Sequence, residues 1–279
     1  MILVIDAINK DRFASVLDEM FKLRARVFGD RLGWQVNVVD GRERDVFDDL
    51  DPAYAVGLDD DGNVVSCVRA LQTTGPHMLS DVFYAILDGE PPLRSPHLWE
   101  STRFCVDTQR LGRGRGPNSV SYATCELMIA SLEAAKRAGV SDIVTVIDPV
   151  MDRVLKRSGN APYDYVGRQA EMGKVPALAA LLDCTDERIA RIRKFSGIEG
   201  DVFLSEEEAL CLLARRAVRA PAKSALEIYC DEQVAAATTT HRGTRDSRRR
   251  RGSCAPPRRA SASVSSDRNH QLLAIGDER

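Results

Sequence analysis

Between residues 1 and 203 apolar positions recur in two rhythms, every second residue or every third and fourth, and these predict the elements. Met1 to Ile5 reads as a short strand, and residues 11–28 as an amphipathic helix that turns Phe13, Leu17, Met20, Phe21 and Val27 toward a core. Tyr54 to Leu58 and Asn63 to Leu71 flank Asp59-Asp60-Asp61-Gly62, a hairpin signal. Residues 98–106 alternate as a buried strand and run through the Gly/Arg-rich turn 109–116 into a helix over 118–138 that stops at Gly139. Asp142 to Ile147 is a β-branched strand, Pro149 to Arg157 a short helix ended by Gly159, Tyr163 to Gly167 an extended piece, and residues 175–183 a helix. Antiparallel pairing early and β–α–β units later make an α/β fold, a mixed twisted sheet with helices on both faces in three layers, ending near residues 194–203.

After residue 203 the pattern changes. Ser205 to Val218 reads as an acidic-then-basic helix within a possible accessory segment, 204–237. Residues 238–279 are rich in Ser, Arg and Pro, with Arg248 to Arg251 consecutive and few large apolar residues. Such a segment buries too little surface to offset chain entropy, so disorder is expected there.

Composition narrows the function. The 279 residues are 44% hydrophobic, enough for a real core, and the net charge of −2 does not point to nucleic acid. No apolar run reaches the roughly 20 residues that cross a bilayer, and the start lacks a signal-peptide pattern, so a cytoplasmic protein is expected. Seven cysteines stand singly, with no C-x-x-C pair and none beside a histidine, which predicts reduced core residues and no metal site.

The chemistry concentrates in residues 98–116. Glu100 and Arg103 are ions in an otherwise buried strand, and each costs several kcal/mol, on the order of an unpaired buried charge, unless the fold pairs it or opens the strand onto a cleft. Strict alternation puts the two on opposite faces; a bulge in this strand would bring them to one side and supply backbone N–H donors near Phe104 to Val106. Arg69 is a second charge in an apolar strand, for which Asp45, Asp48 and Glu100 are candidate partners, and Arg24 and Phe28 share one helix face. The glycine-rich turn before a helix N-terminus suits a phosphate-bearing ligand.

Two resemblances follow from these residues. Gln109, Gly112 and Gly114 spell Gln-x-x-Gly-x-Gly, which resembles the pyrophosphate loop of GCN5-related N-acyltransferases. More specifically, Arg24, Phe28, Trp34, Asp45, Asp48, Arg69, Phe83, Glu100 and Arg103, in this order and spacing, resemble the signature of the acyl-homoserine-lactone synthases of bacterial quorum sensing. The likeness spans about residues 1–203 and includes Trp99-Glu100-Ser101-Thr102-Arg103-Phe104. It implies acyl transfer from acyl carrier protein to S-adenosylmethionine as co-substrates without a further cofactor, then lactone closure with release of methylthioadenosine. It assigns Glu100, Asp45, Arg103, Arg69 and Asp48 to catalysis, Glu100 as the candidate base or as an orienting carboxylate, and Arg24, Phe28, Trp34 and Phe104 to S-adenosylmethionine. Either Arg24 or Arg103 would hold the substrate carboxylate. The acyl and phosphopantetheine path would carry Thr102, Thr145, Gly112 and Gly114, and Met128, Leu132, Val146 and Leu155 would line an acyl tunnel. Arg110, Arg113, Arg115, Lys156 and Arg157 are candidates for docking the acidic carrier. Arg113 and Arg115 depart from the family pattern toward a coenzyme A loop, which keeps acyl-coenzyme A open as donor. The alternative activity is a coenzyme A-dependent N-acyltransferase acting on another amine.

Overall fold

A computed structural model describes residues 1–111, 120–172 and 175–219. Seven strands form one sheet in the order β1-β4-β5-β6-β7-β9-β8. β1 (Ile2–Ile5), β4 (Ala53–Leu58), β5 (Val64–Gln72) and β6 (Leu98–Val106) pair antiparallel, β6 and β7 (Asp142–Ile147) pair parallel, and β9 (Val175–Asp183) joins β7 to the edge strand β8 (Asp164–Met172). A small hairpin, β2 (Val38–Val39) with β3 (Arg42–Glu43), stands apart.

Both faces of the sheet are covered, as the alternation of β7 shows. Ile143 and Ile147 face a core shared with α4 (Tyr122–Arg137), α5 (Pro149–Arg157) and α6 (Asp186–Ser196), whereas Val144 and Val146 face Phe47, Phe83 and Ile86. The first half of the sheet packs on α1 (Ala14–Arg24) through Leu3, Ile5, Val56 and Phe13. This is the expected three-layer α/β arrangement. The helix expected to reach residue 28 continues past Arg24 as a wider π-type turn, Ala25–Arg31.

One element is reversed. Residues 175–183 are a strand, not the expected helix. The segment VPALAALLD has helix-favouring Ala and Leu, yet it lies hydrogen-bonded between β7 and β8 with Ala177, Ala179 and Ala180 fully buried. Burial on both faces makes a strand read as a continuous apolar run, and tertiary pairing overrides intrinsic propensity. The extended piece before it is also longer than residues 163–167 suggest, continuing to Met172. Its Gly167, at φ +63°, passes so close to the Ile86 carbonyl that a Cβ would stand 1.9 Å from the oxygen.

Met1–Leu213 belongs to one compact unit; of a second unit, residues 214–268, only 214–219 are described, completing α7 (Glu206–Arg219). Ala209 of α7 is buried against the α1 core, and Asn9 and Arg12 both bond Glu206. Residues 220–237 and the tail 238–279 lie outside the described residues.

Candidate active site

The register of β6 against β5 slips between the pairs Arg69↔Thr102 and Cys67↔Cys105, so β6 spends one extra residue there. Arg103 takes up the slack at φ +56°, a left-handed conformation costing on the order of 1–3 kcal/mol for a side-chain-bearing residue. The bulge places Arg103 on the side of Glu100, as expected: Met78 of α2 (Met78–Asp81) accepts from Arg103 Nη1 on its sulfur at 3.4 Å and donates its own N–H to Glu100 at 2.6 Å.

Three arginines converge there on three carboxylates. Arg24 donates from Nε to Glu43 at 2.5 Å and from Nη1 and Nη2 to Asp48 at 2.8 and 2.9 Å. Arg69 grips Asp45 at 2.6 and 3.0 Å, reaches Asp48 at 2.8 Å, and donates Nε to Thr102 Oγ1 at 3.0 Å. Arg103 meets Asp45 at 2.6 Å and Glu43 at 3.1 Å. The charges balance, which is the condition for burying six ions together. Asp45 and Asp48 are also turn residues: the Phe47 N–H donates to Asp45 and the Asp45 N–H to Asp48, both at 2.9 Å, a reciprocal cap on the 3₁₀ turn Val46–Asp49. That cap aims their remaining lone pairs at the arginines.

Burial opposes ionisation of both aspartates, but Arg103 and Arg69 beside Asp45, and Arg24 and Arg69 beside Asp48, outweigh it and hold both carboxyls below the usual range. Glu100 behaves in the opposite way. Fully buried, it accepts among the described residues only backbone N–H groups, from Met78 and from Leu79 at 2.7 Å, and burial pushes its carboxyl up to about 7. Of the three candidate partners of Arg69, Glu100 is therefore ruled out and Asp45 and Asp48 take the guanidinium.

Beyond Thr102 the sheet opens. The parallel pairing of β6 with β7 ends at Ser101↔Thr145, and the strands part around a cavity of about 50 Å³. Thr102, Arg103, Phe104 and Thr145 line it, as do all four residues expected along an acyl tunnel, Met128, Leu132, Val146 and Leu155. Thr145 sits at the parting and donates its hydroxyl to the Ser101 carbonyl at 3.0 Å.

Among the residues expected to hold S-adenosylmethionine, two are sealed. Arg24 has no exposed surface and all three of its nitrogens are engaged, so it supports the site and does not grip a substrate carboxylate. Phe28 is equally buried, stacked on Trp34 with centroids 5.8 Å apart and with the Arg103 guanidinium 5.7 Å from its ring. Trp34 and Phe104 are the half-buried members and the rings with surface to offer. Gly112, Gly114, Arg113 and Arg115 lie outside the described residues, while Arg110 pairs with Asp59 and Lys156 with Asp152. The structure adds Glu43, Tyr54, whose hydroxyl donates to Asp48 at 2.7 Å, and Met78. Glu43 was legible as the first carboxylate of an E-x-D-x-x-D run; nothing local marks Tyr54 or Met78.

Comparison with known proteins identifies the family. The chain matches the autoinducer synthase family over residues 9–192. A probable acyl-homoserine-lactone synthase of Sinorhizobium fredii (strain NBRC 101917 / NGR234) is 38% identical over 190 residues, 67% of this chain and 90% of the relative. The acyl-homoserine-lactone synthase of Agrobacterium fabrum (strain C58 / ATCC 33970) is 36% identical, covering 65% and 85%. Among solved structures, the AHL synthase LasI is similar with a TM-score of 0.59 at 30% identity, over 72% of this chain and 98% of that one. The CoA-dependent acyl-homoserine lactone synthase MesI gives 0.62 at 26%, over 73% and 98%. With the arginine–carboxylate network standing at the mouth of an apolar cleft, the chain belongs to the autoinducer synthase family and is an acyl-homoserine-lactone synthase.

Proposed function

We propose that the enzyme moves a fatty acyl group from a phosphopantetheine thioester to the amine of S-adenosylmethionine, producing a lactone signal for quorum sensing. The amine attacks the thioester carbonyl, the thiol leaves, and the substrate carboxylate oxygen then displaces the sulfonium, closing the lactone and releasing methylthioadenosine. The observation that carries this reading is Arg103. Of the three site arginines it alone lines the cleft, and among the described residues its Nη1 has only the Met78 sulfur as partner. A guanidinium so placed can take a carboxylate through paired N–H bonds. Trp34, stacked on the Phe28 ring that the Arg103 guanidinium approaches, offers a ring face to the sulfonium, worth ~0.5–2 kcal/mol. Glu100, with its carboxyl near 7, is the group suited to accept the amine proton through a water, each of its oxygens keeping a lone pair beyond the bond from α2.

The Thr145 hydroxyl, its proton committed to Ser101, offers lone pairs to the cleft. That favours a hydroxyl over a carbonyl on the third acyl carbon. Acyl carrier protein is the proposed donor; the CoA dependence of MesI and the arginines of residues 109–116 favour acyl-coenzyme A as the second reading. Purified protein with S-adenosylmethionine and each acyl donor in turn should release methylthioadenosine. Release with coenzyme A thioesters alone would reverse the donor assignment, and release with neither would refute the reaction.

A further inference from the structure

The cleft ends on a polar group that no part of the proposed reaction uses. Asn160, just past α5, is 2% exposed and lines the cavity together with Leu155, Ile143 and Leu182. Its orientation is fixed by chemistry: Arg188 Nη1 donates to Asn160 Oδ1 at 3.1 Å, and a guanidinium has only donors, so the oxygen must face it. Arg188 is itself anchored by Asp183 at 2.6 Å and by the Ala161 carbonyl at 2.6 Å. The other half of the amide, the Nδ2 donor, has no hydrogen-bond partner among the described residues.

Depth follows from the sheet register. The cavity lining reaches Ile143 and Leu182, a facing pair beside Asp142 and Asp183, and Asp183 anchors Arg188, so Asn160 belongs to the end of the cavity toward the start of β7, away from Thr145 where the strands part. At about 3.3 Å per strand residue that end lies some ~10 Å beyond Thr145, well past the third acyl carbon. A plain methyl terminus would leave the Nδ2 donor dehydrated and unpaired, whereas an oxygen there would satisfy it.

We propose that Asn160 reads the far end of the acyl group, so that the preferred donor carries a hydrogen-bond acceptor, a terminal hydroxyl or carbonyl, at the tail remote from the thioester. This rests on the acyl-transfer reading above. The test uses two acyl thioesters of equal length, one ending in a hydroxyl and one in a methyl, on whichever carrier the full-length enzyme accepts. Wild-type kcat/KM for methylthioadenosine release should favour the hydroxyl-ended donor by ~10-fold. Asn160→Asp keeps the shape and the Arg188 bond but removes the donor, and Asn160→Leu removes the polarity; both should bring the ratio to one or below. A wild-type ratio near one, or a ratio unchanged in both variants, overturns the proposal. Calorimetric binding of the same two thioesters carries the same expectation and decides the matter independently of turnover. Absence of turnover with every donor would instead refute the acyl-transfer reading.

Discussion

The two walls of the cleft obey different physics. One side is ionic: six charged side chains from α1, β3, the 3₁₀ turn, β5 and β6 are locked pairwise at 2.5–3.1 Å, and of these Arg103 lines the cleft while the other five stand behind it. The other is apolar, made of α4, α5 and β7 side chains around space that protein atoms leave unfilled. Removing an atom from the first strands a charge in low dielectric; adding one to the second fills room already there. Precision in positioning thus comes from the ionic wall and tolerance of different acyl groups from the apolar one.

The largest effect should come from cutting the ionic wall at its most shared member. Asp48→Ala removes a carboxylate held by Arg24, Arg69 and Tyr54, and urea unfolding at pH 7 should show a loss of about 3–5 kcal/mol. Next, Arg103→Ala at the edge of the same wall should cut methylthioadenosine release by on the order of 10²-fold or more with the fold intact by circular dichroism. Full activity would remove Arg103 from the mechanism. On the apolar wall, Leu155→Phe should change stability by less than about 1.5 kcal/mol but lower kcat/KM for the longest acyl donors ~10-fold, leaving short ones nearly unaffected. Equal losses for all lengths would mean the cavity does not hold the chain.

Protons separate the regions further. Asp45 and Asp48 titrate lower in the fold than in the unfolded chain, so their contribution is present above about pH 4 and lost as pH falls below it. Glu100 works against this trend. Unfolded it ionises near 4.5, folded it keeps its proton to about 7, so folding takes up a proton in between and stability declines from about pH 4.5 to 7, by at most ~1.4 kcal/mol per pH unit. Denaturation profiles of Glu100→Gln should lose that decline, and its activity should lose the rise through about pH 7 expected of a base. The smallest effect belongs to the periphery: Arg12→Ala breaks an exposed pair with Glu206 and should cost under ~1 kcal/mol by the same urea titration.

Much of this was written locally. The short apolar runs at β1, β4, β5 and β7, the alternation of β6, the Asp59–Gly62 turn and the capped helices each follow from neighbours in sequence, and the strands and hairpin were legible for that reason. The charged residues of the site were legible too, because an ion in an apolar strand is an anomaly that only pairing or a cleft resolves. Propensity failed at residues 175–183, where Ala and Leu carry no mark of strand pairing and only the neighbours β7 and β8 made one.

The sequence by itself determined which residues carry charge and that they had to be paired, since neutrality is a property of composition and spacing. Which guanidinium meets which carboxylate, that Arg24 is sealed while Arg103 reaches the cleft, and that Glu100 holds a proton near neutrality were decided by tertiary structure. Desolvation and hydrogen-bond geometry depend on what packs within a few ångströms, and residues as distant in the chain as Glu43, Met78 and Arg103 become neighbours only when the sheet closes.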